Sequence, residues 1–288
     1  MVTQEYDPRI ALLPEELALT FDESISLEYL ESCYRSHIPV CGIVKDVDIE
    51  SEEFIVSLSD SIDAYLPFKE STIQNFIELS YESLSGKITT SDYSNSLIGL
   101  KISVHITQFT PERIEISRIH SLTLAYETIM NEITNPNAIF QCYVLSTSKR
   151  SAFVDMGGGI LGRIPIKELS CLRYSDIDYW VQPGESFAVK LTSIEENMQF
   201  NLSRKKYSLS EISADSFKIG DMITVAIGQS VPKGDGYFVE ITPGIAGIMD
   251  SKRYLYEGEF SIAIISKIIK DDRVFCGYRF RLDDALSR

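Results

Sequence analysis

Positive charge, cysteine, histidine and tryptophan are all scarce in this 288-residue chain. It holds 5 cysteines, 3 histidines and 1 tryptophan. Cys33, Cys41, Cys142, Cys171 and Cys276 are odd in number and widely spread, with no Cys-x-x-Cys pair. Neither a disulfide framework nor a zinc site fits that spacing. Several lie in apolar runs, the usual setting of a buried thiol. His37, His105 and His120 do not cluster along the chain, so a histidine-built metal site or catalytic triad has little raw material. No apolar run reaches membrane-spanning length, and the opening Met-Val-Thr-Gln-Glu-Tyr-Asp-Pro lacks the basic start and apolar stretch of a signal peptide. A soluble, cytoplasmic chain with no membrane partner and no cofactor is expected.

What is present is acidity, unevenly placed. The formal net charge is −15. Residues 1–137 carry 8 Lys+Arg against 23 Asp+Glu, whereas 138–206 carry 9 against 7 and 217–288 carry 10 against 10. A phosphate backbone is repelled by the first part and tolerated by the rest. Hydrophobic content of 44% is enough for packed cores, and the length suits two or three compact units.

One pattern occurs three times. Phe54-Ile55-Val56-Ser57-Leu58 is followed by Ala64-Tyr65-Leu66-Pro67, and Ala152-Phe153-Val154-Asp155-Met156 by Gly162-Arg163-Ile164-Pro165. Tyr237-Phe238-Val239-Glu240-Ile241 is followed by Gly247-Ile248-Met249-Asp250 at the same offset. Each copy alternates, turns and alternates again, which predicts a β-hairpin. A β-rich run precedes each hairpin (from Val40, Phe140 and Met222) and two follow it. Five strands, with most of the irregular chain between the third and fourth, is the layout of an OB-type barrel. The fold class expected is mainly β: three tandem five-stranded OB-type barrels joined by short helices.

Helical periodicity falls before the barrels. Leu27, Leu30 and Tyr34 share a face within 24–36, and Leu122, Tyr126, Ile129 and Ile133 share one within 120–133. The chain therefore divides into an acidic helical segment (1–37), a degenerate barrel (38–118) and a helical linker (119–137). A second barrel (138–206), a polar linker (207–216) and a third barrel (217–288) follow.

The second unit resembles the S1 RNA-binding domain. The resemblance runs through Ser151-Ala152-Phe153-Val154-Asp155-Met156-Gly157, Gly162-Arg163-Ile164-Pro165-Ile166, Pro183-Gly184-Glu185-Ser186-Phe187-Ala188-Val189-Lys190 and Phe200-Asn201-Leu202-Ser203-Arg204-Lys205. The third unit is similar through Gly236-Tyr237-Phe238-Val239, and the first is degenerate. Three departures stand out. Arg150 and Asp235 stand where the family often has an aromatic. Pro67, Pro165 and Asp250 stand at the family's histidine, and Ile55 replaces the strand-two phenylalanine.

The resemblance implies binding of single-stranded RNA, by cations along the backbone and rings against the bases, each stacked base worth roughly 1–3 kcal/mol. Strand alternation sends Phe153 and Asp155, then Arg163, Pro165 and Lys167, outward, with Lys149 and Arg150 in the adjoining turn. In the third unit Phe238 is expected outward beside Glu240 and Asp250, with Lys233, Lys252, Arg253 and Tyr254 nearby. In the first unit Ile55, Ser57, Tyr65 and Pro67 face out with few cations close. Binding is therefore expected after residue 137. The acidic first half is expected to meet a protein, with a ribosomal one as a candidate, or simply to solvate the chain.

Met156-Gly157-Gly158-Gly159-Ile160-Leu161-Gly162 superficially resembles a phosphate-cradling loop, but a strand follows it where such a loop needs a helix. Glu195-Glu196 and Asp271-Asp272 fall at turns, as solvated charges rather than an acid/base pair. No enzyme is expected. The leading function is RNA binding of the ribosomal protein S1-like type, in translation or RNA handling, with single-stranded DNA open as a second ligand. The alternative is a protein-interaction scaffold of degenerate OB barrels.

Overall fold

The computed structural model describes residues 12–74, 90–110, 112–172, 177–212, 216–232, 236–251, 253–269 and 277–282. Among the described residues fifteen strands form three closed five-stranded barrels. The first contains β1 (Val40–Asp48), β2 (Glu53–Ser59), β3 (Ile62–Pro67), β4 (Lys101–Phe109) and β5 (Ile114–Ser117). The second contains β6 (Phe140–Ser148), β7 (Ser151–Asp155), β8 (Leu161–Pro165), β9 (Ser186–Ile194) and β10 (Phe200–Ser203). The third contains β11 (Met222–Ser230), β12 (Gly236–Thr242), β13 (Ile245–Asp250), β14 (Phe260–Ile269) and β15 (Gly277–Leu282).

Each barrel has the same order. The first strand pairs with the second and the fourth, and the third runs parallel to the fifth to close the ring. This is the OB arrangement, which leaves no sheet edge open. Closing so few strands requires strong coiling. A register shift sits at the same place in the first strand of every barrel, at Val44/Asp46, Val144/Ser146 and Ile227/Ser230. Such bulges bend a strand sharply and raise its twist. Alternation then fills the interiors: Phe54, Val56 and Leu58 in the first, Ala152, Val154 and Ile164 in the second, Val239 and Met249 in the third.

The helices are α1 (Glu15–Ala18), α2 (Leu27–Ser36), α3 (Thr90–Leu97), α4 (Ile119–Glu132), α5 (Ile166–Leu169) and α6 (Arg204–Glu211), and α3 touches both β1 of the first barrel and β6 of the second. In α2 the Ser26 side chain accepts the Tyr29 N–H at 3.3 Å, and His37 ends the helix in the left-handed region. Its buried face is Leu30 and Cys33, and Leu27, expected on that face, is exposed. In α4 the buried residues include Leu122, Ala125 and Ile129.

The first two barrels are not independent bodies. Leu145, Phe153 and Leu161, all from the second barrel, are buried in the same apolar cluster as the first barrel's core. Polar contacts seal this junction. The Gln74 amide donates to the Leu161 and Met198 carbonyls, both at 2.9 Å, and its oxygen accepts the Leu161 N–H at 2.6 Å. At the centre Arg118 is 1% exposed and ion-paired with buried Glu15. It also donates to the Ser71 carbonyl at 3.2 Å and the Tyr93 hydroxyl at 3.3 Å. Asp155 accepts N–H groups from Glu15, Gly157 and Gly159 at 2.8, 2.8 and 3.1 Å. Burial, then the charge of Glu15, pushes the Asp155 acid up to about 7. Gly159 has φ +82°, and a Cβ there would run into Arg118, Glu15 and Leu122. The glycine-rich turn is thus a hairpin turn shaped around a buried ion pair.

The histidines, scattered in sequence, do meet in space. His105 on β4 and His120 on α4 lie edge to face with centroids 4.7 Å apart, and the Nδ1 of His105 lies 3.2 Å from the Ser121 hydroxyl. Burial, then the neighbouring His120 and His37, pulls the His105 imidazole down to about 4 from 6.5. The unfolded chain therefore binds the extra proton first, so this part of the stability is present above pH 6.5 and is lost as pH falls toward 4. Exchanging His105 for glutamine should flatten the fall in melting temperature across that window. An unchanged acid limb would show that His105 does not titrate in the folded barrel.

Four of the cysteines are described, all free thiols: Cys33 and Cys142 are buried, and Cys41 and Cys171 half-buried. Burial pushes Cys41 and Cys142 up to about 12. Cys276 lies outside the described residues. Among the described residues no group of three or more His, Cys, Asp or Glu side chains is arranged to hold a metal, and no helix is long and apolar enough to cross a membrane.

Candidate nucleic-acid interface

The outer face of β7 and β8 is where an S1-like barrel would present its ring. In the second barrel that face is covered. Cross-strand register sets Phe153 beside Ser146 and Arg163, and Asp155 beside Tyr143 and Leu161. Alternation does turn Phe153 out of its own barrel, as expected, but the ring is only 2% exposed. It packs into the first barrel's apolar cluster, and α3 and Leu97 lie against the neighbouring β6. The expected exposed ring encircled by four cations is therefore not formed. Asp155, also expected outward, is buried beneath α1.

The cations of that set are dispersed around the rim. Lys149 and Arg150 are exposed at the β6–β7 turn. Arg163 is half-buried and donates from Nε to the Ser151 hydroxyl at 2.8 Å. Lys167, expected on the strand with Arg163, is exposed on α5, because β8 ends at Pro165. Arg163 and Lys167 instead join an open groove of about 420 Å³ between β8, β9, β10 and α6. The parallel pairing of β8 with β10 sets Asn201 beside Arg163. Thr192, Ser193 and Lys206 complete the polar wall, which Glu168 and Glu195 also line, Glu195 accepting from the Asn201 amide at 2.9 Å. Three cations against two carboxylates, with hydroxyl and amide groups between them, suit a phosphodiester chain better than an apolar ligand. Sequence reading missed Lys206, Thr192, Ser193 and Asn201. The basic run Arg204-Lys205-Lys206 was a visible signal, but its place beside β8 depends on a pairing nearly forty residues distant.

In the third barrel the equivalent ring is open. Phe238 on β12 is 38% exposed. Glu240, expected to face solvent beside it and repel phosphate, is 2% exposed. Its carboxylate accepts the Ser170 hydroxyl and the N–H groups of Cys171 and Gly244, at 2.8 and 2.9 Å for the two N–H groups. Burial pushes its acid up despite these donors. The second barrel has therefore taken Glu240 out of the site, and Asp250 alone of the two acids is exposed. Arg253 and Tyr254 are exposed on the β13–β14 connection. That connection is held to β12 by the Leu255 N–H, which donates to the Tyr237 hydroxyl at 3.1 Å. Lys233 and Lys252 lie outside the described residues.

The first barrel has no open ring at this position. Ile55 replaces it, and the face of Tyr65 on the adjoining strand is taken by the Arg113 guanidinium at 4.1 Å. That cation, which the sequence did not lead us to expect there, is neutralised by Glu53 at 2.5 Å and Glu115 at 3.1 Å.

Residues 134–205, which span the second barrel, match the S1 RNA binding domain. Among curated proteins none matches the chain. Solved structures similar to it include GSP13 from Bacillus subtilis, at 20% identity and TM-score 0.24, covering 28% of this chain and 62% of that one. The chain thus aligns over less than two thirds of GSP13. A multidomain protein with nucleic acid binding domains from Streptococcus pneumoniae aligns at 10% identity and TM-score 0.31, covering 85% of this chain and 73% of that one. A chain of the a/eIF2alpha–aDim2p–rRNA complex from Pyrococcus horikoshii aligns at 17% identity and TM-score 0.23, covering 26% and 50%.

Proposed function

We propose that this protein binds single-stranded RNA without catalysis, through the Phe238 face of its third barrel and the Arg163–Lys167–Lys206 groove of its second. The observation that carries the reading is Phe238. It is a ring left open at the stacking position of a barrel joined to one that matches an RNA-binding domain. Stacking would supply affinity that is tolerant of sequence, and the groove would supply the salt-dependent part. The acidic first barrel, its Tyr65 already covered, would stay off the strand and meet a protein or solvent. A role in cytoplasmic RNA handling, translation included, fits these parts, and single-stranded DNA is the competing ligand to titrate alongside.

Exchange of Phe238 for alanine should weaken RNA binding by about 1–3 kcal/mol at every salt concentration, with folding intact. Removing Arg163 or Lys167 should instead reduce the slope of log affinity against log salt by about one unit for each phosphate that is no longer neutralised. Identical titrations for the parent and the Phe238 variant would refute the assignment. One observation favours the scaffold reading: the corresponding face of the second barrel is already used to hold another barrel. If the intact chain shifts neither RNA nor DNA at low salt, that reading replaces this one.

A further inference from the structure

One acid in the second barrel's groove works against phosphate and is nonetheless held in place. Glu195, directly after β9, lines the groove with Arg163, Lys167 and Lys206. A carboxylate there repels a phosphodiester chain. Left to itself, an exposed glutamate would swing into solvent.

The hold begins in the sheet. Asn201 on β10 pairs with Ser193 on β9 on one side and with Arg163 on β8 on the other. Its neighbours Phe200 and Leu202 fill the core, so Asn201 points outward between the two. Gln199 is 3% exposed and fixes the amide, its Nε2 donating to Asn201 Oδ1 at 3.2 Å. Both hydrogens of Asn201 Nδ2 are then directed into the row, to Ser193 Oγ at 3.1 Å and to Glu195 Oε1 at 2.9 Å. Two hydrogens on one planar nitrogen diverge by about 120°, so the oxygens they hold lie about 5 Å apart. A hydroxyl that accepts from one oxygen and donates to the other spans about that distance. The two oxygens also differ in what they have left to offer. The Ser193 hydroxyl keeps its proton, which finds no acceptor among the described residues, and Glu195 Oε2 accepts from no donor among them.

We propose that Ser193 and Glu195, spaced by Asn201, form a subsite for the ribose 2′-hydroxyl, through which the groove selects RNA over DNA. The proposal rests on the RNA reading above and adds which kind of strand the groove prefers. The 2′-hydroxyl both donates and accepts, and it is the group by which a protein tells RNA from DNA. Ser193 would donate to it and Glu195 accept from it, with Arg163 in the same row for a phosphate. A carboxylate suits the accepting position, because hydrogen bonds to a charged group are the stronger ones. It also repels a strand that has no hydroxyl to offer in return. An ammonium or guanidinium group of a protein partner only donates, so it would leave the Ser193 proton unmatched and would face the three cations of the groove. Glu168, which lines the groove from α5, has no such anchoring amide and repels either strand alike.

The test uses the full chain and three single strands of one mixed sequence, about twelve nucleotides long and all carrying uracil: ribo, deoxyribo and 2′-O-methyl. The parent should bind the ribo strand about tenfold more tightly than the deoxyribo strand. The methylated strand, whose 2′-oxygen can no longer donate, should fall with the DNA. Glu195→Ala should weaken RNA about fivefold and strengthen DNA about twofold, a crossing that loss of folding does not produce. Glu195→Gln keeps an acceptor oxygen and should retain most of the preference, whereas Glu168→Ala should strengthen both strands by the same factor. The proposal falls if the parent binds RNA and DNA alike, if the methylated strand binds as the ribo strand does, or if Glu195→Ala moves both strands together. The RNA reading survives any of these so long as Phe238→Ala still weakens binding. If the parent binds no strand at low salt, both readings fail together.

Discussion

Replacing Arg118 with methionine is expected to lower the unfolding free energy by about 3–5 kcal/mol, among the largest single-residue effects in the molecule. The side chain is 1% exposed, so little water screens the charge left behind on Glu15. Burial alone would lower the Arg118 pKa, but Glu15, Tyr93 and Asp155 more than offset it and hold the guanidinium charged. Removing that charge leaves two buried carboxyl groups, Glu15 and Asp155, joined through the Glu15 N–H and facing no cation at that point. Glu15 also accepts the Ser103 N–H on β4 at 2.8 Å, so the disturbance reaches the first barrel. Pairing Arg118→Met with Glu15→Gln should recover a large part of the loss, because the second change removes the stranded charge. Chemical denaturation of the two single variants and the double reads this coupling. Additive losses would show that the pair does not interact as the geometry indicates.

The second large effect is at Phe153. Truncation to alanine is expected to cost about 3–5 kcal/mol, the range for a buried phenylalanine, because the ring fills the space between two barrels. The folded fraction should bind RNA with the affinity of the parent. Phe238→Ala should do the reverse, keeping stability and losing affinity. Two residues at the same position of two repeats thus give opposite phenotypes, decided by what lies over each strand. A Phe153→Ala variant of normal stability and lower affinity would mean that the first barrel does not cover this face in solution.

The contrast shows how far sequence reading carries. Strand order, the hairpins at Val56, Val154 and Val239 and the helices α2 and α4 were legible because alternation, helical periodicity and turn chemistry are local. So was the direction of Phe153, which does leave its own barrel. No periodicity marked α3, and α5 begins at Ile166 where alternation predicts strand. What covers Phe153 was not legible, because the apolar cluster it joins, Leu97 included, comes from other parts of the chain and nothing local announces their destination. Glu240 failed for the same reason. As a carboxylate on an outward position it reads as a phosphate repellent, but Ser170 and Cys171 of the preceding barrel neutralise that role. The histidines are a third case: sixty-eight residues separate His37 from His105, and only the closing of β4 against β1 and α4 brings His105 to His120. Charge partition did not mark the open ring, since the balanced second barrel has its ring covered as the acidic first barrel does.

The most direct measurement is photochemical crosslinking of the full chain to a thiouridine-containing single-stranded RNA, followed by mass spectrometry of the peptides. Adducts are expected on the third barrel, in 236–251 around Phe238, with Phe153 unlabelled. Adducts concentrated on 149–167 with Phe153 labelled, and none on the third barrel, would contradict the assignment.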